Sequence, residues 1–249
     1  MAKVLEICAD SLASARAAIA GGADRIELCS ALTMGGLTPW EMLLRQIREE
    51  SRIPVRCLMR PRAGDFLYTR EEIALMGAQM EQLGKAGADG FVIGCLNPEG
   101  ELDREAMKFL AGCAGGKNLT LHRCIDVSRD PEKTYLDAME LGIDTVLTSG
   151  CASNCLGGLP IIERLLNLRD LHQGPEVLVG AGVKAAVIRR IRAALPQARA
   201  FHMSGKTEIP SGMLFRRDGV PMGAPGLDEW HIQVTGLELV RQSRIAMDE

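Results

Sequence analysis

Five residues able to hold charge or move a proton sit inside or at the end of short apolar runs. They are Glu6 between Leu5 and Ile7, Glu27 between Ile26 and Leu28, Arg60 in Met59-Arg60-Pro61-Arg62, and His122 with Arg123 after Leu121. A carboxylate in an apolar strand is costly unless paired or hydrogen-bonded. Glu6 and Glu27 therefore need partners, and Arg60 and Arg123 are the expected ones. The set suits acid–base chemistry on a small anion. The arginines would clamp it, Glu6 or Glu27 would act as general base, and His122 as acid or electrophile. Three later runs end in Thr148-Ser149-Gly150, Gly180-Ala181-Gly182 and His202-Met203-Ser204-Gly205. Hydroxyl and backbone N–H groups at Ser149, Gly180, Gly182, Ser204 and Gly205 are candidate oxyanion donors.

Eight cysteines in 249 residues are too scattered for a disulfide scaffold. Reduced thiols in strand patterns behave as small hydrophobes, which points to a reducing, cytoplasmic compartment. Cys151 and Cys155 are spaced by three, but no second close pair or His completes a zinc set. Soft thiolates favour copper(I). Cys8 and Cys29 end neighbouring strands, about 4.8 Å apart in a parallel sheet, so they are the candidate pair for such an ion.

These side chains need a frame. Gly21-Gly22-Ala23-Asp24, Ala86-Gly87-Ala88-Asp89 and Leu141-Gly142-Ile143-Asp144 each join a helical pattern to an apolar strand pattern. A glycine there suits the left-handed residue that ends a helix. The alternation continues along the chain, with strands expected near 3–8, 24–29, 54–59, 89–94, 119–124, 144–149, 176–180 and 199–204. Helices are expected near 11–21, 39–50, 70–86, 103–114, 131–141, 158–170, 183–194 and 227–245. Thr38-Pro39, Thr69-Arg70-Glu71-Glu72 and Asp130-Pro131 read as helix starts. Eight strand–helix units in one domain of residues 1–249 predict a (β/α)8 TIM barrel, whose sites lie where the strands' carboxyl ends converge. A structural layer of ion pairs would explain any single buried glutamate. The case for a site rests on the expectation that one set of strand ends is polar and the other is not. A long Gly/Pro/Arg-rich loop between Ser204 and Leu227 is read as a lid or a surface excursion.

Composition removes other classes. The net charge of −3 gives no electrostatic case for nucleic acid. No apolar run approaches the roughly 20 residues of a membrane span, and the first residues run directly into a strand pattern rather than a signal peptide.

At these motifs the chain resembles the CutC family of copper homeostasis proteins over essentially its whole length. The resemblance runs through Leu5-Glu6-Ile7-Cys8, Arg25-Ile26-Glu27-Leu28-Cys29, Gly35-Gly36-Leu37-Thr38-Pro39, Met59-Arg60-Pro61-Arg62, Leu121-His122-Arg123 and Gly180-Ala181-Gly182-Val183. Two departures are minor: the family has Phe or a similar residue where this chain has Leu121, and glycine where it has Ala181. The resemblance implies a cytoplasmic (β/α)8 barrel, a homodimer, and a link to copper tolerance and copper binding. Copper handling and catalysis on a small anionic or phosphorylated metabolite are the two functional expectations.

Overall fold

The helix–glycine–strand joins form as read, with Gly22, Gly87 and Gly142 all at positive φ (91, 105 and 77°). A computed structural model describes residues 3–217, 219–220, 223 and 228–249. Its eight barrel strands are β1 (Val4–Ala9), β2 (Arg25–Leu28), β3 (Val55–Leu58), β4 (Gly90–Ile93), β5 (Asn118–Leu121), β6 (Thr145–Thr148), β7 (Glu176–Val179) and β8 (Ala200–Met203). They pair in chain order, all parallel, and β8 returns to β1 to close the barrel. Around it lie α1 (Leu12–Ala20), α2 (Glu41–Glu50), α3 (Arg70–Lys85), α4 (Arg104–Cys113), α5 (Pro131–Glu140), α6 (Leu159–His172), α7 (Ala185–Ala194) and α8 (Leu237–Asp248). No helix among the described residues is long and apolar enough to cross a membrane.

Two starts follow the sequence signals. Thr69 forms a full capping box with Glu72, and Asp130 caps α5 ahead of Pro131. A third does not. The cap of α2 is Trp40, because the Thr38 hydroxyl is engaged with the backbone of Arg60 instead, accepting from its N–H at 3.0 Å.

Period-two alternation sorts the strand residues. Leu5, Ile7, Ile26, Leu28, Phe91, Ile93, Val177 and Val179 join the large core shared with the helices. Glu6, Arg25, Glu27, Arg56, Thr120 and His202 are the alternate residues and fill the barrel interior. Two small apolar clusters, Cys29/Leu58/Val92 and Leu147/Leu178/Ala200, are separate from that core.

Two expectations fail here. The amino ends of the strands are polar as well. Arg56, 4% exposed, donates to the hydroxyls of Thr120 (2.6 Å) and Thr145 (3.0 Å) and to Asp144 (2.7 Å). Polarity at one end alone cannot be the mark of the site. The stretch after Ser204 is likewise no simple loop. β9 (Lys206–Pro210) and β10 (His231–Thr235) pair as an antiparallel hairpin, and the last helix starts at Leu237 rather than near 227. Both strands are short and largely exposed, and only β10, with Ile232 and Val234, carries an apolar alternation in sequence. Part of the expected loop and helix start, 218, 221–222 and 224–227, lies outside the described residues.

Candidate functional site

The carboxyl ends of the strands enclose a cavity of about 420 Å³ lined by Cys8, Glu27, Arg60, His122, Arg123, Gly182, His202 and Ser204, with Leu58, Phe66, Leu147 and Met203 among its apolar walls. Register explains the centre. Glu6 sits level with Arg25 on one side and His202 on the other, and Cys8 sits level with Glu27. Glu6 is fully buried and bridges Arg25 Nε (2.5 Å) and His202 Nδ1 (2.7 Å). The expected pairing of Glu6 and Glu27 with Arg60 and Arg123 is therefore corrected. Neighbouring strands supply the partners at the same level, whereas Arg60 and Arg123 lie beyond the strand ends.

With its Nδ1 fixed, His202 turns Nε2 to Glu27, 3.9 Å away. Cys8 Sγ, a Glu27 carboxylate oxygen and a ring nitrogen of His202 all lie within 4.8 Å of one another. The charges follow from these positions. Burial alone would raise the pKa of Glu6, but Arg25 and His202 outweigh it and hold the carboxyl at about 2. Glu27 has no arginine contact of that kind. Burial, reinforced by Glu6, pushes it up to about 7 against the pull of His202 and Arg25. Burial opposes charge on His202, yet Glu27, Cys8 and Glu6 together raise its pKa well above the usual value.

Cys29 does not join the triad. It is fully buried, with Sγ directed to the Ala9 carbonyl at 3.6 Å, and burial with the nearby Cys8 and Glu27 pushes its thiol well up.

On the far side of the barrel, His122 follows β5. Its Nδ1 accepts the Cys124 backbone N–H (3.1 Å), and burial with Arg60 nearby lowers it to about 3. The neighbour making room is Gly94, where a Cβ would lie 2.4 Å from His122 Cε1. Arg123 is half exposed and bonds Asp126 (2.7 Å) and Ser149 Oγ (2.9 Å).

The anion-donor candidates divide. Ser149 already has its carboxylate, because Asp126 accepts from the Ser149 N–H and Oγ (3.0 and 2.9 Å), the Thr148 hydroxyl (2.5 Å) and the Cys151 N–H (3.1 Å). Gly182 and Ser204 line the mouth. Gly205 lines an adjoining cleft with Lys184 and Lys206, and Gly180 packs against Leu147, which an added Cβ would approach to 2.7 Å.

Sequence reasoning placed His202 at a strand end but gave it no role, and passed over Arg25, Phe66, Gly94 and the part of Asp126. The usable signal was spacing. Residues two apart on one strand share a face, so Glu6 and Cys8, or Arg25 and Glu27, must point the same way.

Fold and mouth define a closed (β/α)8 barrel protein with a thiol, a carboxylate and an imidazole meeting at the carboxyl ends of its strands. The CutC family model matches residues 3–207, and the chain belongs to the CutC family. It is 40% identical over 250 residues to a family protein CutC of Chromobacterium violaceum, covering 100% of both chains. It is also 40% identical to the human copper homeostasis protein cutC homolog, over 96% of this chain and 86% of that one. The crystal structure of a CutC protein from Streptococcus agalactiae superposes with a TM-score of 0.76 at 25% identity, covering 81% of this chain and 98% of that one.

Proposed function

We propose that this protein serves copper homeostasis by binding copper(I) in the barrel mouth, with the Cys8 thiolate and His202 Nε2 as the two soft donors. The observation that carries the reading is the approach of Cys8, Glu27 and His202 to within 4.8 Å. Metal bonds of about 2.3 Å to sulfur and 2.0 Å to nitrogen, the lengths found at zinc, let two donors up to about 4.3 Å apart share one ion, and Cys8 and His202 approach closely enough to hydrogen-bond. Thiolate and imidazole suit copper, while a carboxylate is a harder donor. Glu27 can take one of the two protons that Cys8 and His202 must release, and the other passes to solvent.

The Glu6–His202 hydrogen bond supports the same reading, since ligating histidines commonly give their other nitrogen to a carboxylate that fixes the ring. Arg25 holds that carboxylate in turn. The copper homeostasis name of the human relative points the same way. We place the protein in a reducing cytoplasm, where eight free thiols are at home, and read it as a homodimer, which sedimentation at several concentrations would test.

Anaerobic copper(I) titration against a competing chelator tests the site. One tight equivalent per chain is expected for the wild type, lost in Cys8→Ser and weakened at least tenfold in His202→Gln. It should be kept in Cys29→Ser. Equal loss in Cys29→Ser would transfer the second ligand to that thiol. Weak binding spread over many thiols, unchanged by Cys8→Ser, would overturn the proposal.

A further inference from the structure

The part of the mouth formed by Arg60 and His122 holds two donors with nothing to donate to. Arg60 is 9% exposed and gives its terminal N–H groups to the carbonyls of Met34 (3.1 Å), Gly36 (3.0 Å) and Gly64 (3.0 Å), all neutral. Among the described residues no carboxylate pairs with it, and its Nε has no acceptor. His122, 5% exposed, has its proton on Nε2 because Nδ1 accepts from Cys124, and that Nε2–H is also without an acceptor. Phe66 ties the two together, its ring centroid 4.7 Å from the His122 ring and 5.4 Å from Arg60 Cζ.

A buried cation without a counter-ion and a buried N–H without an acceptor are each unfavourable in the empty protein. Both line the same cavity. One acceptor group with a single negative charge relieves both.

We infer that this wall is a subsite for the carboxylate of a small organic acid, a ligand additional to the metal, which it admits through a side-chain shift, because each of the two donor atoms presents almost no surface in the empty protein. One oxygen accepts from His122 Nε2–H and the other from Arg60 Nε–H, while Phe66 covers the apolar part of the molecule. Charge selects a monoanion over a phosphate dianion. Among the described residues Arg60 is the arginine of the wall without a carboxylate partner, Arg123 is already held by Asp126, and Glu27 faces the same cavity.

The test uses the full chain, free of metal, with sodium propionate and inorganic phosphate as probes and sodium chloride at matched ionic strength as reference. Propionate should raise Tm in a saturable way and shift the ¹⁵N and ¹H resonances of His122 Nε2–H, identified by their loss in His122→Phe. Phosphate should bind at least tenfold more weakly. His122→Phe should weaken propionate at least tenfold, and Arg60→Lys, which keeps the charge but lacks an Nε donor, gives the second test if that variant fails to fold. A response no greater than that to chloride, a His122 signal unmoved at saturation, or phosphate binding more tightly than propionate would each overturn the subsite. With metal absent throughout, failure here leaves the copper reading standing, and loss of that reading leaves the subsite standing.

Discussion

The barrel interior is polar at both ends, and the two ends are built differently. At the floor, Arg56 donates to Thr120, Thr145 and the Asp144 carboxylate, and Arg169 and Arg199 share Glu176. At the mouth, Arg60 and His122 keep donors without acceptors, and Glu27 faces a histidine rather than an arginine. Each floor arginine has a carboxylate for a partner. The mouth holds the same residue types with their valences left open. Buried polarity inside a barrel is therefore not in itself a site. Unmet hydrogen-bonding capacity beside a cavity is the better sign, because a fully satisfied network has nothing left to offer a ligand.

Glu6 joins the two regions and should give the largest effect. Glu6→Gln leaves Arg25 and His202 without their shared carboxylate, and breaking a buried pair costs about 3–5 kcal/mol. Urea unfolding at pH 7 measures it. A loss under 1 kcal/mol would mean that the pair is not needed for folding. The wild type carries the matching acid signature. The Glu6 pKa is depressed to about 2 from 4.5, so its stabilisation is present above pH 4.5 and is lost as pH falls toward 2.

Arg56→Met tests the floor alone. Two buried hydroxyls lose their donor, and a loss of about 2–4 kcal/mol is expected. Copper and propionate binding should survive. If binding falls as much as stability does, the floor and mouth are one unit and the comparison breaks.

Glu27→Gln should move stability the other way. The folded pKa of about 7 lies above the ordinary 4.5, so the native state binds the extra proton between those values and stability falls as pH rises through that window. Glutamine removes the charge, so stability at pH 7.5 should rise by about 1–2 kcal/mol, with a flatter pH profile from 4.5 to 7. Copper binding should weaken. Equal destabilisation at every pH would show that Glu27 belongs with the paired groups of the floor.

The smallest effect is at the rim. Ala181 has φ of 71°, in the left-handed region beside Gly182 at 77°. Holding a Cβ there costs about 1–2 kcal/mol, partly offset by the greater unfolded-state freedom of glycine. Ala181→Gly should therefore stabilise by about 0.5–1 kcal/mol in the same urea assay. A destabilised variant would mean that the Ala181 methyl packs in the mouth.

Local physics determined the frame. Helix-stopping glycines, proline and capping residues at helix starts, and eight apolar runs each depend on a few consecutive residues, so the closed barrel was legible before any coordinates, as was the position of Arg60, His122 and Ser149 just past strand ends. What joins to what was not. Partners in a parallel sheet are set by register between strands far apart in sequence, and that register gave Glu6 to Arg25 and His202. Register also placed Cys8 with Glu27 and His202 while the Cys29 thiol turned to Ala9. The exposed hairpin after Ser204 left a pattern only in the short Ile232–Val234 alternation, because solvent, not a core, faces most of its residues. The last distinction, between satisfied and open polar groups, exists only once every donor and acceptor is counted in three dimensions. Residue type gives Arg56 and Arg60 the same donors, and the tertiary structure alone decides that one meets the Asp144 carboxylate while the other meets only neutral carbonyls and keeps a buried Nε without an acceptor.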